Sequence, residues 1–254
     1  LSVRDVTAVY DAPGGGILPA LAPLNFTIEA GSFVCLVGPS GCGKSTLIRI
    51  LAGLQRPTSG EVYLEDHPIA EPSDQVGLMF QDSNLMPWRT VLDNIALPLE
   101  LAGMAQPQRH QTVSDLLPTL GLSEFALAYP GELSGGMAQR VALGRVLVQQ
   151  PGALLLDEPF GALDALTREQ ISLDLMELRS KQTVVMVTHN IHEAVLLSDR
   201  ILVFSRRPGR IIADIPVLLN RPRRLEDAYT ERFGEIARHV REAINPVQVE
   251  LSKS

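Results

Sequence analysis

The sequence predicts an α/β fold: a parallel sheet covered by helices, with an antiparallel β portion at the N-terminal end and a helical sub-domain inserted mid-chain. Three observations carry that expectation. Wholly apolar runs such as "SFVCLV", "ALLLD" and "TVVMV" read as strands buried on both faces, and helical spacing follows each of them. The opening segments "LSVRDVTAVY" and "LNFTIEAG" are short β elements broken by the turn-rich "DAPGGG". From Thr90 to about Leu122 the pattern turns helical, with proline and glycine between two runs.

The elements follow in order. "SFVCLVG" is an apolar strand ending in glycine that hands over to a helix, "KSTLIRILAGL". "GEVYLED" and "QVGLMFQ" are two further strands, the second ending at Gln81. The insert carries "TVLDNIALPLELAG" and "QRHQTVSDLLPTLGL", and "LSGGMAQR" then opens the helix "MAQRVALGRVLVQQ". Two buried strands end at Asp157 and His189, and each leads into a helix. "RILVFS" and "GRIIADIPV" form a hairpin across "RRPGR". The last segment, "EDAYTERFGEIARHVREAI", puts Tyr229, Phe233, Ile236, Val240 and Ile244 on one helical face, expected to pack on its own domain.

Bulk properties bound the function. With 254 residues, 45% of them apolar, the chain can build one large domain, or one domain with a sub-domain. The net charge of −7 argues against nucleic acid as a partner. Cys35 and Cys42 are too few for a disulfide framework, which fits a reduced, cytoplasmic compartment. No apolar run approaches the roughly eighteen residues of a membrane span, and no basic start precedes an apolar stretch. The expectation is a soluble intracellular protein.

The chemistry begins at "GPSGCGKST", which fits G-x-x-x-x-G-K-[ST] in the required place, after a strand and opening a helix. The α/β core is therefore expected to be a P-loop NTPase. Gly38, Pro39, Ser40, Gly41, Cys42 and Gly43 curl the backbone so that its N–H groups face phosphate oxygens. Lys44 brings charge to the β and γ phosphates, Ser45 is placed to ligate Mg²⁺, and Thr46 adds a hydroxyl near the α phosphate. Asp157, at the end of a buried strand, faces the metal. Glu158 follows it, and strand alternation would turn its carboxylate to the other face, where it polarises an attacking water. His189, at another strand end, can stabilise charge developing on the γ phosphate. Gln81 is positioned to touch both Mg²⁺ and the water. His67, His110, His192 and His239 have no such setting and read as surface or filler.

"LSGGMAQR" adds a second phosphate-like motif, because glycines at a helix entry leave N–H groups bare. Taken in order, the P-loop, Gln81, "LSGGMAQR", "LLLDEP", "GALD" and "VTH" resemble the ATP-binding subunit of ABC transporters over nearly the whole chain. The resemblance implies an ABC ATPase domain over residues 1–225, a helical sub-domain inserted at about 82–150, and a C-terminal helix and tail over 226–254. It implies that Glu158 is the catalytic glutamate, His189 the switch histidine, Asp164 the D-loop aspartate and Tyr10 the aromatic that stacks on adenine. It further implies a head-to-tail pair with a second copy or close homologue. Ser134, Gly135 and Gly136 of one chain then cap the ATP held by the P-loop of the other, which accounts for two phosphate motifs in one chain.

Three residues depart from the family pattern. Met137 stands where glutamine is common, Ala138 where a polar or basic residue is, and Asn190 where aspartate is. "MFQDSNLMPWRTVLDNIALPLELAG" and "SRRPGRI" are similar to the nitrate, sulfonate and taurine importer subfamily. That likeness implies permease subunits contacted around Asp82–Asn94, with Leu85, Met86 and Trp88 burying against a partner helix. It also implies cargo delivered by a solute-binding protein, and a peripheral place on the cytoplasmic face of the inner membrane. The alternative is a soluble non-transport ABC ATPase of the DNA-repair or translation type. Those usually carry long coiled-coil insertions or tandem cassettes, whereas this chain has one cassette.

Overall fold

The structure is a computed structural model, and its described residues are 1–12, 14–161, 163–178 and 182–245. The tail of the expected 226–254 segment, from 246 onward, lies outside them, as does Ala162 of "GALD". Chain contacts divide the protein into two units. One runs from Leu1 to Ser73 and resumes at Thr183; the other is Asp74–Gln182.

The first unit opens on β1 (Ser2–Asp11) and β2 (Ile17–Thr27), an antiparallel pair joined through the Gly-rich turn. β3 (Phe33–Val37) is buried at every residue and leads into α1 (Lys44–Leu51). β4 (Ser59–Leu64) pairs with the other side of β1, and the two-residue β5 (His67–Pro68) closes an antiparallel sheet of order β2-β1-β4-β5. This is the expected antiparallel β portion.

The second unit opens on β6 (Val76–Met79). Its helices are α2 (Val91–Leu101), α3 (Gln106–Leu116) and α4 (Gly135–Leu147), followed by β7 (Ala153–Asp157) and α5 (Ala165–Leu178). β6 and β7 pair in parallel. Val91 and Ile95 of α2, Val113 of α3, Val141 of α4 and Leu117, Leu120 and Leu122 form one buried apolar cluster. Thr90 caps α2 by accepting the Asp93 N–H at 3.2 Å.

The chain then returns to the first unit with β8 (Thr183–Val187), α6 (Ile191–Leu197), β9 (Arg200–Phe204) and β10 (Ile211–Pro216). β3 runs parallel to both β8 and β9, and β10 folds back on β9 as the expected hairpin. β8, like β3, is buried at every residue, as its unbroken apolar run requires. The last element, α7 (Glu231–Ile244), buries Phe233, Ile236 and Val240 and packs on α6 and β9. Tyr229 departs from expectation. It lies in a 3-10 turn (Leu225–Tyr229) before the Thr230 cap and is 91% exposed. Helical phase does not extend across a cap, so its place in the sequence pattern did not set its side.

Arg223 ties the end of α6 in place. Its buried guanidinium donates to the carbonyls of Val195 and Leu196, each at 3.1 Å, and to those of Ser198 and Val217. The last carbonyls of a helix have no intrahelical donor. Arg223→Met should therefore strand several buried acceptors and cost about 2–4 kcal/mol. The denaturant midpoint should fall with an unchanged slope. Among the described residues no helix is long and apolar enough to cross a membrane.

Candidate active site

In the first unit the loop Gly38–Gly43 joins buried β3 to α1. Gly43 is the helix cap, at φ 106° and ψ 4°, and as glycine it brings no capping side chain. Such a helix entry suits an anion, because first-turn N–H groups and the helix dipole both favour negative charge. Lys44 is 6% exposed, and its ammonium donates to the carbonyls of Gly38 at 2.8 Å and Pro39 at 2.9 Å, with the Cys42 sulfur at 3.5 Å. The cation is thus held over the loop that would carry phosphate. An ammonium has three donors, so a phosphate oxygen takes the place of one of these contacts. Ser40 and Gly41 are exposed, and Ser45 and Thr46 are half-buried on the first turn of α1.

Tyr10 stands beside this loop. Its hydroxyl donates to Gln55 Oε1 at 3.0 Å and lies 3.0 Å from Thr46 Oγ1, so β1 and α1 together fix the ring. The two cysteines are free and buried. Burial pushes the Cys35 thiol up, which keeps it a packing group rather than a nucleophile.

His189 does not end a strand. β8 stops at Val187, and His189 lies in the bend beyond it, exposed. Its neighbours hold the bend. Asn190 caps α6 by accepting the N–H groups of His192 at 2.9 Å and Glu193 at 3.4 Å, while its own amide donates to Glu193 Oε1 at 3.1 Å. The Thr188 hydroxyl donates to the other Glu193 oxygen at 2.6 Å. This gives the Asn190 departure a physical basis: asparagine caps as well as aspartate and also donates to a buried carboxylate, which aspartate cannot do. His192 packs its ring on Phe233 at 4.6 Å, and His110 meets Asp93 at 3.2 Å.

The second unit gathers Gln81, Asp157, Glu158, Asp164 and the Ser134–Gly136 stretch. β6 ends at Met79, so Gln81 also lies beyond its strand, exposed. Asp157 closes β7 and is 8% exposed. Glu158 departs from the expected strand alternation. It is already outside β7 at φ 48°, and the Gly161 N–H bonds to its carbonyl at 3.1 Å. A left-handed turn, not the pleat, aims its carboxylate. Asp164 caps α5 by accepting the Thr167 N–H at 3.0 Å.

Ser134 caps α4 by accepting the Met137 N–H at 3.2 Å, which leaves its hydroxyl hydrogen for an external acceptor. Gly135 is exposed and Gly136 half-buried. A Cβ on Gly136 would come within 2.7 Å of Thr167 Cγ2, so α4 enters close against α5. Met137 packs on the helical cluster, which explains an apolar residue where an amide is common. In the Asp82–Asn94 segment Leu85 packs on that same cluster, whereas Trp88 is 72% exposed. Three polar residues of this unit that no motif marks prove buried or bonded to that segment: Asn94, Gln139 and Arg145.

The residues fit nucleotide and Mg²⁺. Among the described residues no cluster of three or more His, Cys, Asp or Glu is gathered for a metal. Mg²⁺ keeps waters and phosphate oxygens rather than a full protein cage, and a single hydroxyl such as that of Ser45, on the first turn of α1, suits it.

The sequence profile of the ABC transporter family matches residues 21–161. A nitrate import ATP-binding protein of Synechocystis sp. is 43% identical over 221 residues, 86% of this chain and 83% of that protein. An aliphatic sulfonates import ATP-binding protein of Bacillus cereus is 41% identical over 242 residues, 94% of each chain. The ATP-binding cassette MJ0796, in a dimeric post-hydrolysis state bound to ADP and Pi, superposes with a TM-score of 0.77. It is 34% identical, and the match covers 86% of this chain and 99% of that one.

Proposed function

The chain belongs to the ABC transporter family, and from that premise we propose that it is the ATPase subunit of an importer for nitrate, a sulfonate, taurine or a similar small anion or organic solute. It hydrolyses ATP to drive transport, works as a dimer of cassettes and serves a membrane permease. The observation that carries the chemistry is the loop Gly38–Lys44, a glycine-capped helix entry with a buried ammonium laid across it.

In this reading Gly38 to Gly43 cradle the phosphates, Lys44 pairs with the β and γ oxygens, and Thr46 adds a hydroxyl near the α phosphate. Tyr10 receives the adenine. Ser45, Asp157 and Gln81 hold Mg²⁺, which when bound neutralises charge on the phosphoryl oxygens. Glu158 accepts a proton from the water that attacks the γ phosphorus as the bond to ADP breaks. His189 donates a hydrogen bond to the charge that develops. Ser134, Gly135, Gly136 and Asp164 act on the nucleotide held by the partner cassette, a second copy or close homologue.

Residues 1–225 then form the ATPase domain with a helical insert at about 82–150, and 226–254 form an appendage. Asp82–Asn94 meets the permease on the cytoplasmic face of the inner membrane, and a solute-binding protein delivers cargo without touching this chain. One feature supports the docking segment: the large apolar side chain of Trp88 is 72% exposed, and exposed apolar surface marks partner sites when it is contiguous. Purification of the tagged chain from gently solubilised native membranes with MgATP tests the reading. A polytopic permease should accompany it; recovery with soluble proteins or nucleic acid alone would overturn the transport assignment.

A further inference from the structure

Two side chains of α4 reach across to the loop after β6. Gln139 is 5% exposed, and its Nε2 donates to the Gln81 carbonyl at 3.0 Å. Its Oε1 is buried with no hydrogen-bond partner. Six residues on, the Arg145 guanidinium donates to the Ser83 carbonyl at 2.7 Å and the Asn84 carbonyl at 2.9 Å. Asn84 itself sits at φ 46°. Three of the four carbonyls between Gln81 and Asn84 are thus held by one helix, and it is the helix that Ser134 caps.

The far half of the segment is fastened differently. Asn94 of α2 is fully buried and accepts the Met86 N–H at 2.8 Å. Its amide donates to the carbonyls of Met86, Arg89 and Thr90 at 3.0–3.1 Å. Side chains of α4 and α2 thus hold both ends of the stretch from Gln81 to Thr90, with a backbone bond from the Arg89 N–H to the Met86 carbonyl at 3.1 Å between them.

A buried, half-satisfied amide is unfavourable by about 1–3 kcal/mol, and a methionine of similar volume would avoid that penalty. What the amide supplies and methionine cannot is a directed bond to the Gln81 backbone. We propose that Gln139 and Arg145 are positioning residues, which lock the Gln81–Asn84 loop to the signature helix so that the loop's glutamine and Ser134–Gly136 move as one body. The inference rests on the roles given above to Gln81 and the signature motif. It adds a link: a push on Asp82–Asn94 from the permease side reaches α4 through two side chains.

The test uses the full chain carrying Gln139→Met, with Arg145→Lys as the milder second variant, since lysine keeps the charge but reaches only one carbonyl. Two quantities are read: amide hydrogen exchange of the 81–90 peptide, and ATP turnover beside nucleotide affinity. In Gln139→Met, exchange over 81–86 should quicken at least about fivefold while the α2–α3 peptides stay unchanged. Turnover should fall by a similar factor with the nucleotide Kd within twofold, because the P-loop is untouched. Arg145→Lys should show both effects at smaller size.

Unchanged exchange over 81–86, or unchanged turnover, overturns the proposal. If Gln139→Met loosens the whole helical unit, Arg145→Lys decides by the same two readings. A parallel Glu158→Gln chain separates the two levels of argument. If it is inactive while Gln139→Met turns over normally, only the lock is wrong. If it stays active, the assigned chemistry fails first.

Discussion

The Glu158→Gln chain is expected to bind MgATP with near-normal affinity and to hydrolyse it about 10²–10⁴-fold more slowly. The geometry separates the two functions. Phosphate contacts are assigned to Gly38–Thr46 in the first unit, and Glu158 belongs to the turn after β7 in the second. Glutamine preserves shape and hydrogen bonding but cannot accept the water's proton. Glu158 is held at φ 48°, a left-handed conformation that is unfavourable by about 1–3 kcal/mol for a non-glycine residue. If the proposed sharing of nucleotide between cassettes holds, hydrolysis removes the shared ligand, and the variant should also accumulate as a nucleotide-bridged dimer on gel filtration with ATP. Phosphate release within tenfold of the parent chain would remove Glu158 from the role of base.

Much of this fold was legible because its central strands are apolar without interruption. "FVCLV", "ALLLD" and "TVVMV" are β3, β7 and β8 with every residue buried, and the P-loop helix begins at Lys44, straight after its last glycine, as the signature helix begins at Gly135. What failed was phase at element ends. The apolar pattern puts Gln81 and His189 on strand ends, yet β6 and β8 stop two residues earlier, and the pleat has no hold on a residue outside the ladder. Alternation predicts the direction of Glu158, whereas a left-handed turn supplies it. The helical spacing includes Tyr229, but the helix starts only at Glu231.

The buried polar groups were illegible for another reason. Nothing in a helical period distinguishes Asn94 or Gln139 from a solvated residue until the backbone groups they serve are brought alongside. Met137 shows the converse. Read as a lost amide, it is an apolar side chain packed on the cluster beneath the signature turn.

Gly43→Ala should be severely damaging, lowering stability by about 2–5 kcal/mol and abolishing the thermal shift produced by MgATP. Two independent terms add. The backbone at φ 106° lies where L side chains are rarely found. The new Cβ would sit 2.6 Å from Leu21 Cδ2 and 2.8 Å from the Ala20 carbonyl oxygen. Neither neighbour has room to yield, since Leu21 is 2% exposed and Ala20 belongs to β2. The strain falls at the cap of α1, so relaxing it means turning the loop whose N–H groups and Lys44 are to meet the phosphates. Gly41→Ala separates the terms. Gly41 has φ 73° but no atom within 4 Å of a built Cβ, so this variant carries the backbone penalty alone, on the order of 1 kcal/mol. Melts with and without nucleotide at about a hundred times Kd, where binding contributes roughly 2.7 kcal/mol, resolve both variants. Gly41→Ala should keep a stabilising shift. A Gly43→Ala chain with a parental melt and a parental shift would mean that β2 gives way after all, and that the loop's conformation does not depend on the missing side chain.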